Sequence, residues 1–293
     1  MPSNWIWMSL LSSTRCYVKD RAYAKINLSL DVFNIREDGY HDLCSIMVPI
    51  DFYDELEIIP DLRDSFTCNK RFIRYNENNS IYKMITLLKE RYDIADHHRI
   101  GLKKVIPTQA GLGGGTADAA SVLRIFKKLY HLDLNKEEII DLCLKVGADV
   151  PFNYFNTPAV VKGIGDVIEP FDMAKKYYVL LVKPRSGVST REAYQKLDME
   201  ICDHPDILSL KKALENGEPL TGLLGNSLEQ PALLLNEDIR KVKERLEAYR
   251  CGEVLMSGSG STVFCISEEE REIKAIYEDL RGENLYVRFT ATL

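Results

Sequence analysis

Between Ala22 and Val32 apolar and polar residues alternate without a break. Ala22, Ala24, Ile26, Leu28, Leu30 and Val32 fall on one side, and Tyr23, Lys25, Asn27, Ser29 and Asp31 on the other. A period of two predicts a half-buried strand with Lys25 beside Asn27 on its polar face. Arg36-Glu37-Asp38-Gly39 carries turn chemistry, so Tyr40 to Ile50 and Leu56 to Ile59 are expected as further strands in an antiparallel opening. Ile81 to Tyr92 changes to helical spacing, and Val105-Ile106-Pro107 closes a short strand. After a run of glycines, Ala119, Val122, Leu123, Phe126 and Tyr130 form the stripe of a helix. Asn135, with Glu138 three residues on, predicts the capped start of a second helix that stops at Gly147. Asp149 then falls just past that stop, expected in extended conformation before the Val150-Pro151 step.

Beyond about residue 168 the pattern reads strand (Val179 to Val182), polar connector, helix (Asp238 to Tyr249), strand, glycine turn, strand (Val254 to Ile266), helix (Glu268 to Leu280) and strand (Leu285 to Phe289). Helices on one face of a mixed sheet satisfy this order, an α+β arrangement. A chain of 293 residues exceeds what one core organises. Two domains are therefore expected, 18–168 and 169–293, behind a disordered extension over 1–17. The apolar stretch Trp5 to Leu11 in that extension has no preceding positive charge and is too short to span a bilayer, so a cytoplasmic protein without membrane contact is expected. A net charge of -6 supplies no global basic surface, which argues against a nucleic-acid partner. Cys16, Cys44, Cys68, Cys143, Cys202, Cys251 and Cys265 are scattered with no C-x-x-C pair, the pattern of reduced, packed thiols and not of a metal site.

Chemistry concentrates between Pro107 and Ala120, where Gly111, Gly113, Gly114 and Gly115 immediately precede a helix. Missing Cβ atoms let backbone N–H groups approach an anion, and the helix N-terminus adds partial positive charge, so a polyphosphate is the natural ligand. On this reading a Cβ at Gly114 would occupy the space of a phosphate. No lysine follows the glycines, which separates the loop from a Walker P-loop, and on glycine count alone a simple tight turn stays open. Lys25 and Asp149, each taken alone, read as a surface lysine and a turn residue, and Gly258-Ser259-Gly260 as a hairpin connection. Asp118 reads as an acid placed to suit its helix N-terminus.

Taken together, six segments resemble the GHMP kinases. They are Ala24-Lys25-Ile26-Asn27-Leu28, Asp38-Gly39-Tyr40-His41, Ala110 to Ala120, Gly147-Ala148-Asp149-Val150-Pro151, Gly187-Val188-Ser189-Thr190 and Ser257-Gly258-Ser259-Gly260, in the family's order from residue 20 to the end. The resemblance implies an N-terminal nucleotide-binding α/β domain and a C-terminal α+β domain with the active-site cleft between them. It implies ATP with Mg²⁺ and a small-molecule acceptor, a cytidine diphospho-alcohol, bound by a monomer or weak homodimer. Lys25 and Asp149 become the catalytic candidates. Asn79, Pro107, Ala110, Gly111, Leu112, Gly113, Gly114, Gly115 and Thr116 become nucleotide contacts. Asn27, Tyr40, His41, Tyr194, Gly258, Ser259 and Gly260 become acceptor contacts, and no side chain is assigned as a metal ligand. The chain departs from the family pattern at Thr116-Ala117, where two serines are usual, at Ser261, usually proline, and at Ser227 within Asn226-Ser227-Leu228-Glu229. A homoserine- or mevalonate-type kinase and a non-catalytic nucleotide-binding relative remain the alternatives. Retention of both Lys25 and Asp149 favours an enzyme.

Overall fold

A computed structural model describes residues 18–37, 39 and 41–293. The expected extension and Tyr40 lie outside the described residues. The chain runs β1 (Val18–Ile35), β2 (His41–Asp61), β3 (Ser65–Cys68), α1 (Ser80–Arg91), β4 (His97–Lys103), α2 (Gly114–Leu129), α3 (Lys136–Leu144), α4 (Val150–Phe155), β5 (Ala159–Gly163), β6 (Val167–Pro170) and β7 (Tyr178–Lys183). It continues with α5 (Thr190–Gln195), α6 (Ile207–Asn216), β8 (Gly225–Asn226), α7 (Glu229–Leu235), α8 (Glu237–Ala248), β9 (Glu253–Met256), β10 (Val263–Ser267), α9 (Glu270–Leu280) and β11 (Tyr286–Ala291).

The first sheet has the order β3-β4-β2-β1-β8, with β5 on β2 and β6 on β5; the second is β11-β7-β10-β9. This is the mixed α/β architecture expected. The two strands foreseen at Tyr40–Ile50 and Leu56–Ile59 are one strand, β2, because it changes partner along its length: Leu43 to Met47 pair with β5 and Glu55 to Asp61 with β4. The expected seam at 168 falls inside β6, and β8 returns from the second half of the chain to pair in parallel with β1.

Helical apolar stripes cover the first sheet: Met84, Leu88, Val122, Leu123, Phe126 and Leu142 bury Leu56, Ile58, Ile100 and Leu102. On the other side Ile26, Leu28, Ile46, Val48 and Phe52 share a core with Leu181, Leu214 and Phe264. The second sheet buries Leu180, Val182 and Cys265 against Ile239, Leu246, Ile273 and Leu280 of α8 and α9.

β1 departs from a half-buried strand in one respect that bears on the site. Its apolar face is buried as the alternation requires, but Lys25, Asn27 and Ser29 of the polar face are buried too, at 3%, 1% and 0% exposure. Their cover comes from elsewhere in the chain. Register shifts against β2 flank Lys25 and Asn27 on both sides, and such irregularities re-aim side chains locally.

Candidate active site

The glycine loop is anchored from behind before it can meet any ligand. Lys25 N–H donates to the Leu112 carbonyl at 3.1 Å, Thr262 N–H to the Ala110 carbonyl at 3.3 Å, and Ser257 Oγ to the Gly111 carbonyl at 2.9 Å. Ala110 and Leu112 therefore turn their side chains into the core, at 3% and 1% exposure. Gly111 and Gly113 have φ of 70° and 67°, a left-handed conformation that L side chains rarely adopt. A Cβ at Gly111 would collide with the Ser257 carbonyl. Gly113 is the N-cap of α2 and offers no side chain, so the first N–H groups of that helix are left to the loop's outer face.

Gly114 does not do what the sequence suggested. A Cβ there would lie 2.8 Å from Ile106 Cγ2 and 3.1 Å from Lys104 Nζ, pointing into the protein. Gly115 is the exposed glycine of the run, and a Cβ on it would meet only Ser80 Oγ, at 3.5 Å, on the first turn of α1. Asn79 caps α1: its Oδ1 accepts from Ile81 N–H at 2.9 Å and its Nδ2 donates to the Arg74 carbonyl at 2.8 Å. Pro107 lies half-buried at the entry to the loop.

Lys25 Nζ stands 3.6 Å from Asp149 Oδ2 and donates to Asn27 Oδ1 at 2.6 Å. Asn27 Nδ2 passes the chain on to Ser45 Oγ at 2.9 Å, which donates to the Ser29 carbonyl at 2.5 Å. A buried ammonium held by so directed a series of bonds is fixed in position, with donors left for the open side. Asp149 is not extended, as the proline step had suggested. It has φ -83° and ψ -9° and is the N-cap of α4, whose first turn accommodates Pro151 because no intrahelical N–H is needed there.

Gly258 completes this corner. A Cβ on it would lie 3.3 Å from both Asn27 Oδ1 and Lys25 Nζ, so only glycine, with its φ of 57°, lets the turn close over them. Buried Asn226 holds that turn by donating Nδ2 to the Met256 and Gly258 carbonyls, both at 2.8 Å. Its departing neighbour Ser227 is fully used: it donates to the Asp203 carbonyl at 2.7 Å and accepts from Val32 N–H at 3.0 Å. Ser259 Oγ lies 2.7 Å from Thr190 Oγ1 at the start of α5. Gly260, with φ 84°, packs against Met256 and Ile239.

His41 and Tyr194 come together as an aromatic pair, ring centroids 4.8 Å apart and planes tilted by 44°. Burial pushes the Tyr194 phenol up to about 12, and the Asp149 charge adds to the shift.

Behind the loop, Asp54 and Lys104, which belong to no motif, meet Asp118 of the Ala110 to Ala120 segment. Lys104 Nζ donates to Asp54 Oδ2 at 2.5 Å and to Asp118 Oδ2 at 2.6 Å, with all three side chains buried. Asp54 Oδ1 also accepts from Ile106 N–H at 2.9 Å. Asp118 thus belongs to a buried charge network, and is not merely an acid at a helix start. Burial, with the Asp54 charge adding to it and Lys104 opposing it, pushes its carboxyl up to about 7. Asn153 lies four residues after Asp149 and hence on the same face of α4, a helix that the expected extended segment left unforeseen. Its Nδ2 donates to Thr116 Oγ1 at 2.8 Å and to the Gly113 carbonyl at 3.3 Å.

Among the described residues no group of three or more His, Cys, Asp or Glu side chains is placed to hold a metal ion. Magnesium carried by a nucleotide takes most of its ligands from phosphates and water, and needs only one or two protein oxygens. Thr116 fits that role: its hydroxyl proton is engaged by the Gly113 carbonyl at 2.8 Å and one lone pair by Asn153 Nδ2, which leaves one lone pair and no donor.

An anchored glycine loop at a helix start, packed against a buried lysine that pairs with a half-exposed carboxylate, is the arrangement of a small-molecule phosphotransferase. Residues 79–163 match the GHMP kinases N terminal domain and residues 200–286 match GHMP kinases C terminal, and the chain belongs to this family. It is 38% identical over 269 residues to the 4-diphosphocytidyl-2-C-methyl-D-erythritol kinase of Bacillus velezensis, covering 90% of this chain and 93% of that protein. The corresponding kinase of Bacillus subtilis is 36% identical over 269 residues, with the same coverage. A solved 4-(cytidine 5'-diphospho)-2C-methyl-D-erythritol kinase superposes with a TM-score of 0.79 at 30% identity, over 94% of this chain and all of that one. Homoserine kinase from Cytophaga hutchinsonii shares the fold, with a TM-score of 0.71 at 16% identity over 96% of each chain.

Proposed function

We propose that the protein transfers the γ-phosphoryl group of ATP to the 2-hydroxyl of 4-diphosphocytidyl-2-C-methyl-D-erythritol, a step of non-mevalonate isoprenoid precursor synthesis. The observation that carries this reading is the 3.6 Å approach of Lys25 to Asp149 beside the glycine loop. Phosphoryl transfer asks the protein mainly for positioning and charge stabilisation, together with a group that receives or orients the nucleophile's proton. Asp149 takes the acceptor proton, and Lys25, fixed through Asn27, orients the hydroxyl. The outer N–H groups of the loop and the start of α2 receive the phosphates. Magnesium, when bound, neutralises phosphate charge, and Thr116 is the residue that would hold it.

His41 and Tyr194 form the floor for the cytosine, an aromatic surface on which a base stacks while ring and backbone polar groups meet its edge. Tyr40 joins them on the strength of the sequence. The protein works in the cytoplasm as a monomer or weak homodimer with no nucleic-acid partner. Among the described residues no helix is long and apolar enough to cross a membrane.

The test is coupled ADP release against a panel of acceptors: cytidine diphospho-alcohols, mevalonate and homoserine. Turnover confined to the methylerythritol compound is expected, and preference for mevalonate or homoserine would overturn the substrate. His41→Ala and Tyr194→Ala should lose activity with the cytidine substrate far more than with an acceptor that lacks a base.

A further inference from the structure

The loop and the helix that bears Asp149 are held to their surroundings in different ways. The loop has three anchors on one side, from Lys25, Thr262 and Ser257. The short helix α4 is gripped from behind by Arg124, whose Nη1 donates to the Asn153 carbonyl at 2.8 Å while its Nε donates to Asp20 on β1 at 2.8 Å. That grip lies at the backbone of the fourth helical residue. Besides the Lys25–Asp149 pair, the Asn153 side chain ties this helix directly to the loop, where it reaches the Gly113 carbonyl and Thr116 Oγ1.

The amide orientation follows from chemistry. The Gly113 carbonyl can only accept, so the atom facing it is Nδ2. Thr116 Oγ1 already donates to that same carbonyl at 2.8 Å, so it can only accept from Asn153. Asn153, Thr116 and Gly113 therefore close a small cycle in which every donor has one possible partner.

A cost accompanies this arrangement. Asn153 is 3% exposed and its Oδ1 is buried with no partner, a state that a leucine of the same branched shape would avoid. Folding alone therefore gives little reason for an asparagine here, and the cycle's effect on the neighbouring site supplies one. A Cβ at Gly113 would lie 3.3 Å from Asn153 Nδ2 and 3.1 Å from Lys25 Cγ, so the amide sits where loop and lysine meet.

We propose that Asn153 is a positioning residue that sets the separation between the phosphate loop and the Asp149 carboxylate. It acts through Asp149, and so rests on the reading of Asp149 as the group that receives the acceptor proton. The loop keeps its own anchors when Asn153 is replaced, so nucleotide binding is preserved and the chemical step is not. A misplacement of about 1 Å at a reacting group costs on the order of 100-fold in rate.

Asn153→Leu should retain or raise the melting temperature, bind ATP within about twofold of wild type by calorimetry, and lose between about 10- and 100-fold in kcat. Asn153→Asp keeps the size but removes the donor, and should lose kcat in the same way; it serves if the leucine variant folds poorly. In an Asp149→Asn background, either replacement should cost less than about twofold more, because residues acting as one unit show non-additive losses. Wild-type kcat in both Asn153 variants, with Asp149→Asn inactive, would overturn the positioning role alone. Losses that multiply in the double variant would overturn it too, as would a kcat loss matched by equal loss of ATP binding. Wild-type turnover in Asp149→Asn would instead remove the reading on which the role rests.

Discussion

Lys25 and Asp149 face each other with unequal exposure: the ammonium is 4% exposed and the carboxylate 33%, at a separation of 3.6 Å. Such a pair holds its cation rigidly and leaves its anion open to a substrate. Asp149→Asn and Lys25→Ala are each expected to lower turnover by about 10²- to 10⁴-fold with ATP binding largely kept. The double variant should be little worse than the poorer single one. Steady-state kinetics with a circular-dichroism check decide this, and near-normal turnover in Asp149→Asn removes Asp149 from the chemistry.

The two central glycines should respond differently to the same change. Gly115→Val places its side chain on the open face of the loop beside Ser80, and is expected to weaken ATP binding at least about tenfold with little change in unfolding midpoint. Gly114→Val drives its Cβ into Ile106 and Lys104 and should cost about 1–3 kcal/mol of stability as overpacking does. Denaturant unfolding and nucleotide titration on both variants separate the effects. Unchanged ATP affinity in Gly115→Val would move the phosphates off this edge of the loop.

Lys104 is expected to be the least replaceable residue of its network. Lys104→Met leaves the Asp54 and Asp118 carboxylates buried without their shared cation, and loss of one partner from a buried ionic group typically costs about 3–5 kcal/mol. Replacing Asp118 by leucine in the same chain should restore part of that, since Asp54 keeps its backbone donors. Urea denaturation of the single and double variants reads the difference, and a Lys104→Met protein as stable as wild type would show that the network carries no weight.

His98 supplies a pH dependence away from the site. It is fully buried against Tyr130 with Nε2 2.6 Å from the phenol oxygen, and burial, with the Lys89 charge adding to it, lowers its pKa to about 4. The unfolded chain titrates this group near 6.5, so between about 6.5 and 4 the unfolded state binds the proton that the folded state refuses. Its contribution to stability is thus complete above that window and falls as pH drops through it, by at most about 3 kcal/mol. His98→Phe should flatten this part of the stability curve, and an unchanged slope would assign the titration elsewhere.

Much of this protein is written locally. The alternation over Ala22 to Val32, the glycines before a helix and the Asn135–Glu138 capping box depend on residues a few positions apart, and each formed as its pattern required. The ordered motif blocks likewise placed Lys25, Asp149 and the loop in one site. Where local rules admitted two outcomes, tertiary contact chose. A proline two residues after Asp149 suits an extended approach or a helix start, and packing of α4 on α2 through Asn153 and Arg124 accompanies the helix start.

Other features had no local signature at all. The alternation of β1 marks Lys25, Asn27 and Ser29 as polar, but says nothing of what covers them, and the cover comes from the glycine loop and the turn after β9. Asp54, Lys104 and Asp118 come from a strand, a connector and a helix, and only the sheet order brings their charges within hydrogen-bonding reach. Periodicity records which side of its own element a residue occupies. Desolvation and charge pairing depend on distant segments brought close by the topology, so they were decided only when the chain had folded.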